Sequence, residues 1–403
     1  MALFGIPAEF FLFGLVLLGV AVLHRQALAV TLVGLLAIVG YKFAFGFSEG
    51  AGLAGFGAFL AHEWVVLAEL GLLLTGFAIL SNQFELSEAP DAMPRLLPDN
   101  WTGGLTLLAI VFVMSAFLDN IAAAVIGGVM AKHVYRGKVS VGFLAAIVAA
   151  ANAGGAGSVL GDTTTTLLWI GGVSPLTILP AFVGSLVALA VLGVFAARQQ
   201  QRHQPITRHA APDVKVRWSR LLVVAAMLLS ILAANLFSNL HAPELHHVMP
   251  VLGVALWITI VLTSLVRRPD WSVLPGAAMG AGFLVALVAC AALMPVESLP
   301  PASWPTALGL GFLSAVFDNI PLTALALQQG GYDWAMLAYS VGVGGSMIWF
   351  GSSAGVAISS SYPEARSVLA WVRQGWFVPL AFVAGFFAML LTVGWRILPP
   401  LGS

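Results

Sequence analysis

Charge is scarce in this chain. Only 8% of its 403 residues are charged, 17 basic against 17 acidic, while 60% are hydrophobic. A soluble domain averages about a quarter charged residues, and a soluble chain of this length would lack the polar side chains to cover its surface. A lipid solvent resolves the problem, in keeping with a mean hydropathy of +0.98. The zero formal balance offers no electrostatic footprint for nucleic acid. Cysteine is nearly absent too. Cys290 stands alone in an apolar run, which excludes an internal disulfide framework and a thiolate metal cluster and marks a packed thiol. No basic segment precedes the first apolar run, and Glu9 lies inside it, so the run reads as a retained helix rather than a cleaved signal peptide. No HExxH, GxSxG or phosphate-binding loop occurs, so neither an enzyme nor a cofactor is expected.

Apolar runs long enough to cross about 30 Å of hydrocarbon, or roughly 20 helical residues, are plentiful. They fall near 6–23, 27–46, 63–81, 139–172, 174–197, 221–238, 248–266, 273–295, 334–360 and 375–398. Two further stretches, 102–131 and 304–330, carry Asp119-Asn120 and Asp318-Asn319 at their middles. Their halves are too short to span, which predicts re-entrant hairpins with polar tips, since non-helical backbone at depth must be buried by protein or water. Basic loops set the orientation. If each hairpin returns to the side it enters from, Arg25, the segment Lys132–Lys138, the loop 198–220, Arg267-Arg268, Arg366 and Arg373 all face the cytoplasm. The loops 239–247 and 296–303, without Lys or Arg, then lie outside with both termini. The acidic segment 82–101, with Arg95, lies inside. The expected division is an N-terminal repeat 1–197, a cytoplasmic basic linker 198–220 and a C-terminal repeat 221–403.

The halves share motifs. SAFLDNI (Ser115–Ile121) returns as SAVFDNI (Ser314–Ile320), and Gly154-Gly155 followed by Gly161 returns as Gly344-Gly345 followed by Gly351. Two motifs recurring in one order point to duplication. An odd number of spans in each half inverts one half relative to the other. The expected fold class is therefore an all-α integral membrane protein of two inverted repeats. Each has five spans and a re-entrant hairpin, and the broken helices 139–172 and 334–360 meet near the midplane, as in many secondary transporters. The glycines either unwind these helices to expose backbone groups or let helices pack closely.

Buried charge in a membrane is costly, which singles out Asp119, Asp318 and Asp162. If the hairpin tips meet, two carboxylates and two carboxamides converge as hard oxygen ligands for a small cation. Asp119 and Asp318 also suit helix N-caps. Asp162 opens a run of Thr163, Thr164, Thr165 and Thr166, whereas the second half places Ser352 and Ser353 at the matching positions. Desolvation favours a neutral carboxylate, so such a group holds a proton or a metal cation in competition, the simplest basis for cation/proton exchange. No Arg or Lys sits near either motif at depth, as a fixed anion site would want. An anion exporter or Na+-coupled organic-acid transporter stands as the alternative, with helix N-termini as its anion site. Glu69 is placed to pair with a basic group or relay protons, His241, His246 and His247 read as surface histidines, and Trp169, Trp349 and Trp371 as interfacial residues.

These motifs resemble the NhaD-type sodium/proton antiporters of the ion transporter superfamily, to which the arsenite pump ArsB and the divalent-anion/sodium symporters also belong. The resemblance is strongest in SAFLDNI, GDTTTTLLWIGG (Gly161–Gly172), SAVFDNIPL (Ser314–Leu322) and LAYSVGVGGSMIWFGSSAGVAI (Leu337–Ile358), and weaker in HEWVVLAELGLLLTGF (His62–Phe77). Carried over by position, it implies cation-site roles for Asp119, Asn120, Asp162, Thr163, Thr164, Asp318, Asn319, Ser352 and Ser353. It also implies Na+ or Li+ and H+ as transported ions, a homodimer with a scaffold and a moving transport domain, and a multi-pass protein of a bacterial cytoplasmic (inner) membrane. The chain departs from the family pattern at Ala122, Ala123 and Ala124, where threonines are usual, and at Val159 or Leu160, where a proline is common before the Gly-Asp.

Overall fold

A computed structural model describes residues 2–397, apart from 4–5, 24–25, 48–49, 51, 93–96, 207–214 and 243–244. Arg25, Arg95 and Arg208 fall outside the described residues. The first half forms α1 (Ala8–Val22), α2 (Ala27–Phe45), α3 (Gly52–Glu85), α4 (Ala89–Ala92), α5 (Trp101–Ser115), α6 (Asn120–Val134), α7 (Val141–Gly155), α8 (Thr163–Ile170), α9 (Pro175–Ile178) and α10 (Ala181–His203). The second half forms α11 (Trp218–His241), α12 (Leu245–Val248), α13 (Val251–Ser264), α14 (Leu274–Ala292), α15 (Trp304–Ser314), α16 (Asn319–Gln329), α17 (Trp334–Gly344), α18 (Ser353–Ser361), α19 (Val368–Gln374) and α20 (Phe377–Thr392). A two-residue strand pair, Ala2–Leu3 with Ile6–Pro7, is the only sheet among the described residues.

Among the described residues five helical segments are long and apolar enough to cross a membrane, so this is a multi-pass membrane protein. They are Ala27–Phe45, Gly52–Glu85, Pro175–His203, Trp218–Asn235 and Trp271–Ala292. The other expected spans are shorter or interrupted. The run 6–23 gives a 15-residue helix and 248–266 one of 14 residues. The run 375–398 is the second arm of a bent pair, α19 and α20, which meet at 59°. The run 63–81 grows into the 34-residue α3. The runs 139–172 and 334–360 are interrupted at 156–162 and 345–352. The stretches 102–131 and 304–330 are each two helices interrupted at 116–119 and 315–318. The expected linker 198–220 is helical at both described ends, because α10 continues to His203 and α11 starts at Trp218.

The helices group into two compact units, and each draws on both halves of the chain. One unit holds residues 1–88 and 216–299, with α1–α3 and α11–α14. Small residues let its helices close: a Cβ on Gly76 would lie 2.3 Å from Leu256 Cδ2, and one on Gly253 2.5 Å from Leu72 Cβ. Lys42 and Glu9 pair at 3.3 Å between α2 and α1. Glu69 of α3 accepts the Gly253 N–H at 2.5 Å. It thereby serves the first turn of α13, whose own N-cap, Pro250, offers no side-chain bond.

The other unit holds residues 89–215 and 300–403. Every residue of α7 and of α17 is buried, so these two apolar helices form its centre and meet no lipid. Side chains start them cleanly. Ser140 Oγ accepts from Phe143 N at the head of α7, and Asp333 Oδ1 from Met336 N at the head of α17. Around them, α10 and α20 touch backbone to backbone, a Cβ on Gly385 falling 2.4 Å from the Gly184 carbonyl. Tyr339 of α17 donates to the Phe382 carbonyl of α20 at 2.8 Å.

Candidate ion-binding site

Four helices of this second unit begin at the motif residues. Asp119, Asp162, Asp318 and Ser352 are the N-caps of α6, α8, α16 and α18. A helix start presents unpaired N–H groups, and Asp and Ser are residue types that satisfy them. Asp162 Oδ1 accepts from Thr164 N at 3.4 Å, Asp318 Oδ1 from Ile320 N at 3.1 Å and Ser352 Oγ from Gly355 N at 3.3 Å. Asp119 faces the N–H groups of Ile121, Asn120 and Ala122 without closing a cap bond.

Asp162 is the centre of the arrangement and is 1% exposed. Asn120 Nδ2 donates to its Oδ1 at 3.2 Å. Asn319 Nδ2 reaches Oδ1 at 3.4 Å and Oδ2 at 3.5 Å. The Thr163 hydroxyl lies 3.4 Å from Oδ1, and the buried Thr164 hydroxyl lies alongside without a hydrogen-bond partner. Thus the carboxamides of both Asp-Asn motifs converge on one carboxylate supplied by the Gly-Asp-Thr motif. Asp119 and Asp318 are half-buried and stand close enough for their charges to act on Asp162. Asp318 Oδ2 accepts from Ser353 Oγ at 3.3 Å. Among the described residues no three His, Cys, Asp or Glu side chains form a group that could hold a metal ion. The oxygen atoms near Asp162 belong mostly to carboxamides and hydroxyls.

The structure adds residues that sequence reasoning passed over. Asn152, fully buried on α7, accepts from Asn120 Nδ2 at 3.0 Å and donates to Ser346 Oγ at 2.9 Å. The available signal was a lone carboxamide after Ala149-Ala150-Ala151, half a turn before Gly154. Trp371, expected at the interface, is instead 1% exposed, and its Nε1 donates to the Ser346 carbonyl at 3.1 Å. Trp169 is likewise buried, at 5%. Both are core residues because their rings pack inside the unit.

The four threonines divide their work. Thr165 Oγ1 donates to the carbonyls of Ser158 and Asp162, at 2.6 and 2.8 Å, and Thr166 Oγ1 to those of Val159 and Asp162, at 2.8 and 2.9 Å. The Thr166 hydroxyl thereby satisfies the Val159 carbonyl, while the Ser158 and Asp162 carbonyls accept a hydroxyl beside the backbone N–H groups of Gly161 and Thr166. In the second half Gly355 stands where Thr165 does, and a Cβ there would lie 2.1 Å from the Trp349 carbonyl.

Two of the repeated glycines make the same contacts twice, and the third a contact shifted by one residue. A Cβ on Gly154 would lie 2.0 Å from the Phe112 carbonyl, and one on Gly344 2.1 Å from the Gly311 carbonyl. On Gly155 and Gly345 it would lie 2.7 Å from the carbonyls of Gly161 and Gly351. On Gly161 and Gly351 it would meet those of Ser115 and Ala315, at 1.8 and 2.5 Å. Both readings of these glycines are therefore realised. Gly154 and Gly344 let neighbouring helices close, while Gly161 and Gly351 sit in the breaks themselves.

No family model matches the chain. Among curated proteins it is 29% identical over 342 residues to sodium/proton antiporter 1 of Arabidopsis thaliana, covering 74% of this chain and 57% of that protein. It is 28% identical to the Na+/H+ antiporter NhaD of Alkalimonas amylolytica, over 83% of this chain and 78% of the relative. It is 27% identical to that of Vibrio parahaemolyticus, over 80% and 88%. The chain thus spans little more than half the length of the plant relative and most of the bacterial ones.

Proposed function

The chain resembles the NhaD-type sodium/proton antiporters along most of its length, and from that kinship we propose that it is a secondary transporter exchanging Na+ or Li+ for H+. The observation that carries the reading is Asp162: one deeply buried carboxylate, hydrogen-bonded by the carboxamides of Asn120 and Asn319. A carboxylate in that setting holds a proton or a cation, and each expels the other. The carboxamides serve both states. Their N–H groups brace the bare carboxylate, and after rotation their oxygens join those of Asp162, Thr163 and Thr164 around the entering ion. Asp119 and Asp318 add negative potential beside the ion, Ser353 braces Asp318, and Ser352 caps α18 at the position that matches Asp162. The relatives' names describe transporters, not enzymes, and this reading needs no cofactor.

Helix N-termini attract anions, which is the strongest argument for the alternative, an anion exporter or Na+-coupled organic-acid transporter. Here two of the four starts are capped by a carboxylate of the chain, at Asp162 and Asp318, and a third faces that of Asp119. That leaves the centre suited to a cation. The finer architecture belongs to the proposal as well. The Asp-Asn stretches act as re-entrant hairpins of two inverted repeats. The unit holding 89–215 and 300–403 carries the ion by an elevator-like motion, and neutralised carboxylates permit its passage. The protein works as a homodimer in a bacterial inner membrane, with the basic linker in the cytoplasm.

Reconstituted vesicles with a trapped pH dye test this directly. Pulses of Na+ or Li+ should move protons, and Asp162→Asn, close in shape but unable to exchange a proton, should abolish the signal. Full flux in that variant would remove Asp162 from the site. A wild-type response to organic acids or oxyanions alone would favour the alternative.

A further inference from the structure

A glycine inside a helix needs a reason, because alanine is the better helix former. For most buried glycines of this chain the reason is packing. Every other buried glycine among the described residues has a neighbouring atom within 3.0 Å of the place a Cβ would take. Gly342 of α17 is the exception. A Cβ there would lie 3.2 Å from Asp162 Oδ2 and 3.7 Å from Ala156 Cβ, with nothing nearer. Its backbone is helical, so no left-handed conformation demands glycine either. What the missing side chain leaves is a gap about the size of a methyl group, walled by Ala156 and open to one oxygen of the carboxylate.

The two oxygens of Asp162 are not alike. Oδ1 accepts from Asn120 Nδ2 at 3.2 Å, and from Thr163 Oγ1, Thr164 N and Asn319 Nδ2 at 3.4 Å each. Oδ2 accepts one long bond, from Asn319 Nδ2 at 3.5 Å. Donors therefore crowd Oδ1, while Oδ2 keeps lone pairs to offer. The backbone of Gly342 adds to this. In the first half the Ala156 N–H continues the helical ladder to the Asn152 carbonyl at 3.0 Å. The corresponding Ser346 N–H turns instead to the Val343 carbonyl, also at 3.0 Å, and leaves the Gly342 carbonyl outside the ladder. Carbonyls in the last turn of a helix carry its negative end, which favours a cation.

We propose that Gly342 is a specificity-determining residue, whose gap at Oδ2 admits Na+ as well as the smaller Li+. The inference rests on the cation/proton exchange described above and adds what sets the size of the ion. A methyl group in the gap competes with the ion for the same space, and the larger ion loses more. A proton on Oδ2 needs far less room, so the exchange persists with its cation preference changed.

Half-saturating Na+ and Li+ concentrations in dye-loaded proteoliposomes of the full chain test it, with Gly342→Ala beside the wild type. In the variant the value for Na+ should rise about tenfold and that for Li+ about twofold, a gain of about fivefold in Li+ preference, since one methylene in a fitted site is worth a factor of this order. Ala156→Gly, which draws back the other wall, should shift the preference toward Na+. A Gly342→Ala protein that weakens both ions equally, or loses maximal rate at unchanged half-saturation, would overturn the proposal, because a displaced Asp162 or a loosened fold acts on both ions alike. If detergent melting shows that this variant does not fold, Ala156→Gly decides, and an unchanged Li+/Na+ ratio there overturns it. Failure of the exchange itself looks different: wild-type vesicles then move no protons with either ion. Wild-type exchange that is lost in Asp162→Asn, with an unchanged ratio in Gly342→Ala, removes only the role of Gly342.

Discussion

Asn152→Ala is the most searching test of the site, because Asn152 does not touch Asp162. The substitution removes an acceptor 3.0 Å from Asn120 Nδ2 and a donor 2.9 Å from Ser346 Oγ. Each such bond contributes about 0.5–1.5 kcal/mol net, so the pair is worth about 1–3 kcal/mol. Asn120 keeps its bond to Asp162 but loses the second anchor that fixes its amide plane. If the whole of that energy serves to hold Asn120 against the ion site, the apparent cation constant rises roughly 5- to 150-fold. Saturation curves for Na+ or Li+ in dye-loaded proteoliposomes measure it. Ser346→Ala, which deletes only the outer bond, should give a smaller rise. A folded Asn152→Ala protein with wild-type cation affinity would refute the idea that this chain of bonds orients the site.

Other substitutions probe separate parts of the reasoning. Gly342 packs against Asp162, with a Cβ there falling 3.2 Å from Oδ2. Gly342→Ala should therefore lower cation affinity about tenfold, or about 1.4 kcal/mol. Stability should hold, since alanine favours the helix by about 1 kcal/mol; unchanged affinity would show the space is not used. Gly154→Ala and Gly344→Ala should each cost about 1–3 kcal/mol through matched overlap with a carbonyl. Gly309→Ala, in open space on α15, should cost nothing, and unequal effects at the matched pair in detergent melting would count against equivalent packing. Glu69→Leu should destabilise by about 1–3 kcal/mol by orphaning the Gly253 N–H, while Glu69→Gln, which keeps an acceptor, should melt near the wild type.

Much of the candidate site could be read from the chain, because polar residues in a membrane are rare enough to stand out. Asp162, Asn120 and Asn319 were singled out on that ground, and the structure joins them by hydrogen bonds. The role of each was harder to foresee. The sequence offered Asp119 and Asp318 both as cation ligands and as helix N-caps; both stand at N-cap positions, where Asp318 accepts the Ile320 N–H, while the adjacent asparagines donate to Asp162. Asn152 was missed because a single carboxamide among alanines gives no pattern, and Trp371 because sequence does not separate an interfacial Trp from a buried one. Helix continuity was also only partly legible. Apolar runs mark where lipid or core begins, but the kink between α19 and α20 and the length of α3 depend on packing that hydropathy does not encode.

The differences between the halves are as informative as the likeness. The spacing that pairs Gly154 with Gly344 also pairs Asp162 with Ser352, Asn152 with Gly342 and Ala156 with Ser346. A strictly symmetric pair would bury two carboxylates in one low-dielectric centre, where their repulsion is large and a single monovalent ion neutralises only one. Ser352 removes that second charge and keeps the cap, accepting the Gly355 N–H as Asp162 accepts that of Thr164. The neighbours change in step. Where the carboxylate stands, the facing helix supplies Gly342 and leaves room beside Oδ2. At the matching position of the first half stands Asn152, and it reaches across to Ser346, the hydroxyl that the second half has in place of Ala156. Under the proposed exchange this asymmetry has a direct consequence. Loaded by one proton or by one monovalent cation, Asp162 loses the same single charge, and that shared change is what would let either ion travel on the same moving part.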